Sequence, residues 1–193
     1  MEKMTGVLAQ IEEFIERPHE AAARAAQAPR ISLALLGYLL GAVSLSFAHG
    51  GSGTLDRVAA ACVLGFLWHV GSGCVESALS HLAADALGGR GRALSLFVLF
   101  GLSDLAWASA LPVTLILRAL FPDSAWAVTL ATGIIGCQVL FYRARSLSDN
   151  YGLSPLSAWI ALFLPWAAMI LAAFLGASVA AFELMRRLIQ HLA

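Results

Sequence analysis

Charged residues are scarce in this chain: Asp, Glu, Lys and Arg make up 12% of it, whereas hydrophobic residues make up 60%. Soluble domains carry about 25% charged and about 45–50% apolar residues. A chain of this composition cannot cover its apolar side chains with a polar surface, so lipid must be its solvent. The formal net charge is zero, which gives no bulk positive charge to attract nucleic acid. We therefore expect no nucleic-acid partner.

Lysine is almost absent, since Lys3 is the only one among 12 basic residues. The predominance of arginine, together with the many alanines, indicates a bacterial protein from a GC-rich genome. The first 27 residues also lack the apolar core that a secretory signal peptide needs. We therefore expect the first spanning segment to direct insertion as well.

Motifs of well-known catalytic and metal sites are missing too. The sequence has no H-E-x-x-H, no G-x-S-x-G and no P-loop. Its three cysteines, Cys62, Cys74 and Cys137, show no C-x-x-C spacing and lie in apolar runs, which is typical of small packing residues. We therefore expect no enzyme activity, no metal and no cofactor.

Long apolar runs are what the chain does contain. A helix needs about 20 apolar residues to cross the hydrocarbon core of a bilayer, and five segments meet this requirement: 31–48, 58–87, 93–117, 125–142 and 156–182. The predicted fold class is all-α, an integral membrane bundle of five transmembrane helices. This membrane domain covers residues 30–185 and is followed by a short tail, 186–193.

Residues 1–29 are expected to form an amphipathic cytoplasmic helix that lies on the membrane surface. Its apolar side chains recur at three- and four-residue spacing, at Val7, Leu8, Ile11, Phe14 and Ile15. In the alternative interpretation, this helix docks on the protein's own cytosolic loops.

The basic residues predict the orientation. With five spans, the N-terminal segment shares one side with the second and fourth loops, and this side carries eight of the 12 basic residues. Among them are Arg90, Arg92, Arg143 and Arg145. By the positive-inside rule the N-terminus is cytoplasmic, which places a multi-pass protein in a bacterial inner membrane. Trp68, Trp107 and Trp166 lie deep within their spans, and we interpret them as packing groups.

Two acidic residues inside these runs require an explanation, because each costs roughly 3 kcal/mol at the bilayer centre. They are Glu76 in the second span and Asp104 in the third. A short turn joins these spans, and a rise of 1.5 Å per residue places the two acids within roughly 3 Å in depth. We expect the two carboxyls to face each other and one of them to stay protonated. His69 and Ser72 share the face of Glu76, so the predicted polar stripe is His69, Ser72, Glu76 and Asp104.

This stripe has two interpretations. It is a proton relay or a cation site, or it is a set of interhelical hydrogen bonds worth on the order of 1 kcal/mol each. Small residues four apart, such as Gly37 and Gly41, Gly73 and Ser77, or Gly133 and Cys137, let helices approach closely and fit a compact bundle or a homodimer.

Two glycine-containing motifs lie next to predicted spans. In the run from His81 to Gly91, a helix ending in His leads into the turn Gly88-Gly89-Arg90-Gly91. The next span carries Pro112, and the run Tyr151-Gly152-Leu153-Ser154-Pro155 precedes the last span. These features resemble the Yip1 family, which has a Gly-Gly-basic-Gly turn and a Gly-Leu-Ser segment at these places. The resemblance covers roughly 31–182 and implies the family's five-span fold. We interpret His81 and Asp85 as an exposed pair four residues apart.

The chain lacks the long soluble N-terminal region and the Asp-Leu-Tyr-Gly-Pro motif of eukaryotic members, so their role in vesicle traffic with small GTPases is not expected here. The leading hypothesis is a non-enzymatic Yip1-like scaffold. It would act through helix packing and a cytoplasmic loop face, with lipids, other membrane proteins or a second copy as partners. The alternative is a small proton- or cation-coupled transporter using Glu76, Asp104 and His69, which predicts a cavity between the second and third spans.

Overall fold

The computed structural model describes residues 27–49, 54–122 and 125–192, together with residues 12, 16, 17, 20 and 24. All regular structure in these residues is helical, and five helices are long and apolar enough to cross a membrane. The prediction of an all-helical chain with five helices long and apolar enough to span a membrane is thereby confirmed. Most of the expected amphipathic segment 1–29 lies outside the described residues.

The helices follow one another with short connections. In chain order they are α1 (Ile31–His49), α2 (Leu55–Ala86), α3 (Ala93–Ser103), a 3₁₀ segment (Asp104–Ser109), α4 (Ala110–Leu120), α5 (Ala125–Tyr151) and α6 (Pro155–Leu192). The third candidate span therefore consists of α3, the 3₁₀ segment and α4 rather than one uniform α-helix.

Pro112 accounts for this change of helix type. Proline has no N–H, and its ring clashes with the carbonyl four residues earlier, which here belongs to Ala108. The Ser44 hydroxyl of α1 replaces the missing donor, because it donates to the Ala108 carbonyl oxygen at 3.1 Å. The same hydroxyl accepts the Leu111 N–H at 2.9 Å. Helix α1 thus stabilises the 3₁₀ segment, which begins at Asp104.

Close backbone contacts also fix α1 against the third span. A Cβ on Gly37 would overlap the carbonyl oxygen of Gly101, and one on Gly41 would lie 3.0 Å from the carbonyl oxygen of Asp104. A Cβ on Gly73 would overlap the Tyr38 hydroxyl, so the Tyr38 side chain of α1 packs directly against the backbone of α2. Gly133 differs, since nothing lies within 4 Å of its Cβ position.

Two helices extend further than the sequence predicted. Helix α5 ends at Tyr151 instead of 142, so Arg143 and Arg145 are helical residues and not loop residues. Helix α6 continues to Leu192, so residues 186–192 belong to it and not to a separate tail. The core lies among α1, α3, α5 and the start of α6, whereas α6 beyond Pro165 is almost entirely exposed.

Candidate functional site: a buried charged cluster

Four ionisable side chains from three elements meet in the interior of the bundle. Asp104 bonds through Oδ2 to His69 Nδ1 at 2.7 Å and through Oδ1 to Arg143 Nη2 at 2.7 Å. The Nη1 group of Arg143 donates to Oε2 of Glu76. We call His69, Glu76, Asp104 and Arg143 the charged cluster. The Arg143 guanidinium therefore forms ion pairs with both carboxylates, and the His69 imidazole bonds to the other carboxylate oxygen of Asp104.

Each element contributes in a way that its local structure explains. His69 and Glu76 are seven residues apart on α2, which is about two turns, and they share one helix face. Asp104 is the first residue of the 3₁₀ segment, and Arg143 lies on α5. The cluster thus ties α2 and α5 to the middle of the third span.

The side chains of the charged cluster are largely buried. The relative exposure of the side chain is 0% for Asp104, 8% for Glu76, 12% for Arg143 and 17% for His69. The Arg143 guanidinium also lies over the Phe100 ring, with Cζ 5.1 Å from the ring centroid, where the face of the ring attracts a cation. Opposite charges at this burial attract much more strongly than they would in water.

The charges of the cluster do not balance when His69 is neutral. Two carboxylates and one guanidinium then leave one net negative charge. One proton on His69, or on either carboxyl, brings the cluster to neutrality. The arrangement can therefore take up one positive charge without creating an excess, and this is its main chemical capacity.

The cluster brings together three of the four residues of the predicted polar stripe. Glu76 and Asp104 do lie at the same level, but their carboxyls do not face each other as predicted, because Arg143 stands between them and forms an ion pair with each. Ser72 is outside the cluster, because its hydroxyl donates to the carbonyl of His69 on its own helix at 3.3 Å.

Sequence reasoning missed Arg143, because the predicted fourth span ends at 142 and leaves this arginine in a loop. A signal for it is nevertheless present in the sequence. Arg143 lies four residues after Val139 and four before Leu147, so a helix that continues past 142 places it on the same face as these apolar residues. Two acids inside apolar spans also imply a basic partner at the same depth.

A cleft of about 470 Å³ between α2 and α6 reaches the cluster at Glu76. Trp68 and Trp166 line this cleft and are 73% and 48% exposed, so the prediction that they are interior packing groups was wrong. The transporter hypothesis placed a cavity between the second and third spans. The cleft that borders Glu76 lies instead between the second and fifth.

The loop motifs form a second cluster around Tyr151. The His81 Nδ1 and the Tyr151 hydroxyl are hydrogen-bonded at 2.7 Å across 70 residues of sequence, so His81 bonds to Tyr151 and is not paired with Asp85 as predicted. A Cβ on Gly89 or Gly91 would lie 2.9 Å or 2.6 Å from Tyr151 side-chain atoms. The two segments that carry the family resemblance therefore pack against each other at one end of the bundle.

The turns on either side of this contact use glycine where the backbone requires it. Gly88 ends α2 with φ of +85°, and its N–H and that of Gly89 bond to carbonyls of Asp85 and Ala84, a glycine-terminated helix end. Arg90 N–H donates to the Tyr151 carbonyl at 3.2 Å.

The fourth connection is shorter than the predicted loop motif. Gly152 has φ of +65°, and the Ser148 hydroxyl donates to the Leu153 carbonyl at 2.7 Å. The Ser154 hydroxyl lies 2.9 Å from that of Ser157 in the first turn of α6. Two residues predicted as loop positions are helical instead, because Tyr151 ends α5 and Pro155 begins α6. His81 lies within α2, in agreement with the predicted span 58–87.

The acidic and histidine residues of the charged cluster are of the types that bind metal ions. Within the described ranges, no three His, Cys, Asp or Glu side chains gather where they could hold a metal ion. Between the two acids of the cluster lies Arg143, a cation that already occupies the space a metal ion would need.

Comparison of the chain with protein-family models, with curated proteins and with solved structures finds no match. The resemblance to the Yip1 family therefore remains a prediction from the segments 81–91 and 151–159.

Proposed function

We propose that the chain is a small multi-pass membrane transporter whose charged cluster binds and releases a proton or a monovalent cation. The observation that carries this proposal is the two-to-one ratio of carboxylates to guanidinium at a buried site. An ionisable side chain in mid-membrane costs about 3 kcal/mol, and apolar side chains of similar volume often stabilise a core as well as a buried ion pair does. We therefore attribute the clustering of these four ionisable residues to a binding function and not to a contribution to stability.

The bonding pattern supplies a two-state element for transport. Arg143 bridges α5 to Glu76 on α2 and to Asp104 on the 3₁₀ segment. When Glu76 takes up a proton, its attraction to the guanidinium falls, and Arg143 stays with Asp104. Helix α2 is then held less tightly against the bundle, so occupancy of the cluster biases the position of one helix.

Flux measurements in proteoliposomes test this proposal. With the membrane potential clamped, an imposed pH gradient is followed by a dye enclosed in the vesicles, and a sodium gradient at uniform pH is followed in parallel. We expect wild-type protein to dissipate at least one of the gradients faster than protein-free vesicles do. Glu76→Gln and Asp104→Asn should each remove most of this flux, because each variant removes the net negative charge of the cluster.

The matched control is Glu183→Gln on α6. Glu183 bonds to Arg186 and Arg187 at the exposed end of that helix, so this variant removes a carboxyl without touching the cluster. Wild-type flux no faster than protein-free vesicles, or equal flux in all three variants, would refute the transporter proposal.

A second candidate, a non-enzymatic Yip1-like scaffold, is favoured by the cluster around Tyr151. This contact holds the turn at 88–91 and the connection at 152–154 together as one face, on which Arg90 and Arg92 are exposed. Replacing both arginines with glutamine should weaken crosslinking to anionic lipid or to partner proteins, and unchanged crosslinking would count against the scaffold.

The same proposal includes the location. We place the chain in a bacterial inner membrane with its N-terminus in the cytoplasm. Although Arg143 lies inside the bundle, seven basic residues remain on the N-terminal side against four on the other, so the positive-inside bias still favours this orientation.

A further inference from the structure

The cleft between α2 and α6 has a chemical character that the proposed function leaves unused. Glu76 is the only ionisable residue among the described residues that line it, and Ser72 adds one hydroxyl. The remaining lining includes Trp68, Trp166 and Met169, and is otherwise aliphatic, glycine or proline. An apolar cleft with one acidic residue in its wall disfavours anions. It favours a ligand that combines a positive charge with a hydrophobic body.

We propose that this cleft binds a monovalent lipophilic cation of the quaternary ammonium or phosphonium class. The inference rests on the proposed function and names the substrate class of the same site. The volume of about 470 Å³ lies within the range of roughly 300–1,000 Å³ typical of small-molecule sites. Two tryptophans line the cleft, and a cation binds favourably over an indole ring, while methionine adapts to irregular apolar shapes.

The charge of the cluster explains why one cation is taken. With His69 neutral, the cluster carries one net negative charge, and a monovalent cation in the cleft neutralises it as one proton does. A cation and a proton together would leave an excess positive charge at a buried position, so each excludes the other. By thermodynamic reciprocity, a proton that weakens cation binding is itself bound more weakly when the cation is present.

The groups that face Glu76 come from each element packed around it. They are His69 on its own helix, Asp104 on the 3₁₀ segment, Arg143 on α5 and the Tyr38 hydroxyl on α1. Helix α6 contributes no ionisable side chain to the described lining of the cleft. The approach from the cleft is therefore free of fixed positive charge until Arg143 is reached.

Equilibrium binding of tetraphenylphosphonium tests the proposal without any need for flux. The full-length protein is placed in nanodiscs of zwitterionic lipid, and binding is followed by dialysis and by quenching of tryptophan fluorescence. Tetraphenylborate, which has nearly the same shape and the opposite charge, controls for partition into apolar surface. We expect saturable binding of the phosphonium alone. Glu76→Gln should weaken it at least about tenfold, since the cation loses its counter-charge in a region of low dielectric.

A pair of glycine variants keeps the test valid if the Glu76 variant is unstable. Nothing lies within 4 Å of a Cβ added at Gly71 or at Gly133, so the first atom of a larger side chain meets no neighbour at either position, but only Gly71 lines the cleft. Gly71→Leu should abolish phosphonium binding, whereas Gly133→Leu should leave it unchanged. Lowering the pH should weaken wild-type binding, by at most about tenfold per pH unit for exchange of one proton.

Several results would overturn the inference. One is equal binding of tetraphenylborate and tetraphenylphosphonium, which is expected if the cleft holds only a lipid chain. Another is phosphonium binding that persists in both the Glu76→Gln and the Gly71→Leu variant. Flux without phosphonium binding would reject this substrate class and leave the transporter proposal in place. Phosphonium binding that depends on Glu76, found without any flux, would reject transport and support the site.

Discussion

Replacement of Arg143 by methionine gives the sharpest test of the charged cluster. Methionine keeps most of the length of the side chain and removes the charge. In the wild-type background this leaves two carboxylates, Glu76 and Asp104, without their shared cation at a site where both are almost fully buried. Removing one partner of a buried ion pair typically costs about 3–5 kcal/mol, and we expect a loss of free energy of unfolding in that range.

The cost of Arg143→Met should be smaller when both carboxylates have first been replaced by neutral amides. In a Glu76→Gln, Asp104→Asn background, Arg143→Met leaves no buried carboxylate without its cation. It then removes the contact with Phe100, which is worth about 2 kcal/mol or less, and it also removes a buried guanidinium that no carboxylate neutralises. The cost of Arg143→Met should therefore be at least about 1–3 kcal/mol smaller in this background, as expected for residues of one buried network.

Equilibrium unfolding in mixed detergent micelles, followed by far-ultraviolet circular dichroism, supplies the four free energies of this cycle. Equal costs of Arg143→Met in both backgrounds would show that the arginine acts by packing on Phe100 alone. In that case the argument from net charge, on which the transporter proposal depends, would fail.

Two further predictions concern the helix contacts that position the cluster. Ser44→Ala should cost about 1–3 kcal/mol of unfolding free energy, because it leaves the Ala108 carbonyl and the Leu111 N–H without their shared hydroxyl; a thermal shift assay that shows no loss would contradict this assignment. Gly37→Ala should destabilise by about 1–3 kcal/mol, since its methyl group would overlap backbone of α3. The matched Gly133→Ala should stabilise by up to about 1 kcal/mol through helix propensity alone, and equal effects of the two alanines would refute the close approach of α1 and α3.

Composition and hydropathy predicted the architecture because both are properties of whole segments. Runs of about 20 apolar residues place five spans without any knowledge of their contacts. The ends of the spans do not follow from composition in the same way. Arg143 and Arg145 resemble the charged residues that flank a membrane span, although α5 continues to Tyr151. A charged residue that is neutralised by a distant helix has the same local pattern as one that faces water.

The cluster itself was predictable in part. A two-helix argument from the turn at 88–91 placed Glu76 and Asp104 at the same level, because the depth along antiparallel helices follows from residue count. Their partner could not be found in this way, since Arg143 comes from a helix that is not adjacent in sequence to either. The cleft between α2 and α6 could not be predicted from the sequence either, because it depends on the angle between two helices that are distant in the chain.

The hydrogen bonds of Ser44 also bear on how the third candidate span would enter a membrane. On its own, that span carries at Ala108 a carbonyl that lacks the donor an α-helix would supply, and a polar backbone group without a partner in lipid costs several kcal/mol. The first candidate span removes this cost when it lies alongside, through a hydroxyl at 3.1 Å. A segment made earlier in synthesis thus provides the group that a later segment needs, so the order of these two spans in the chain favours their pairing before the bundle closes.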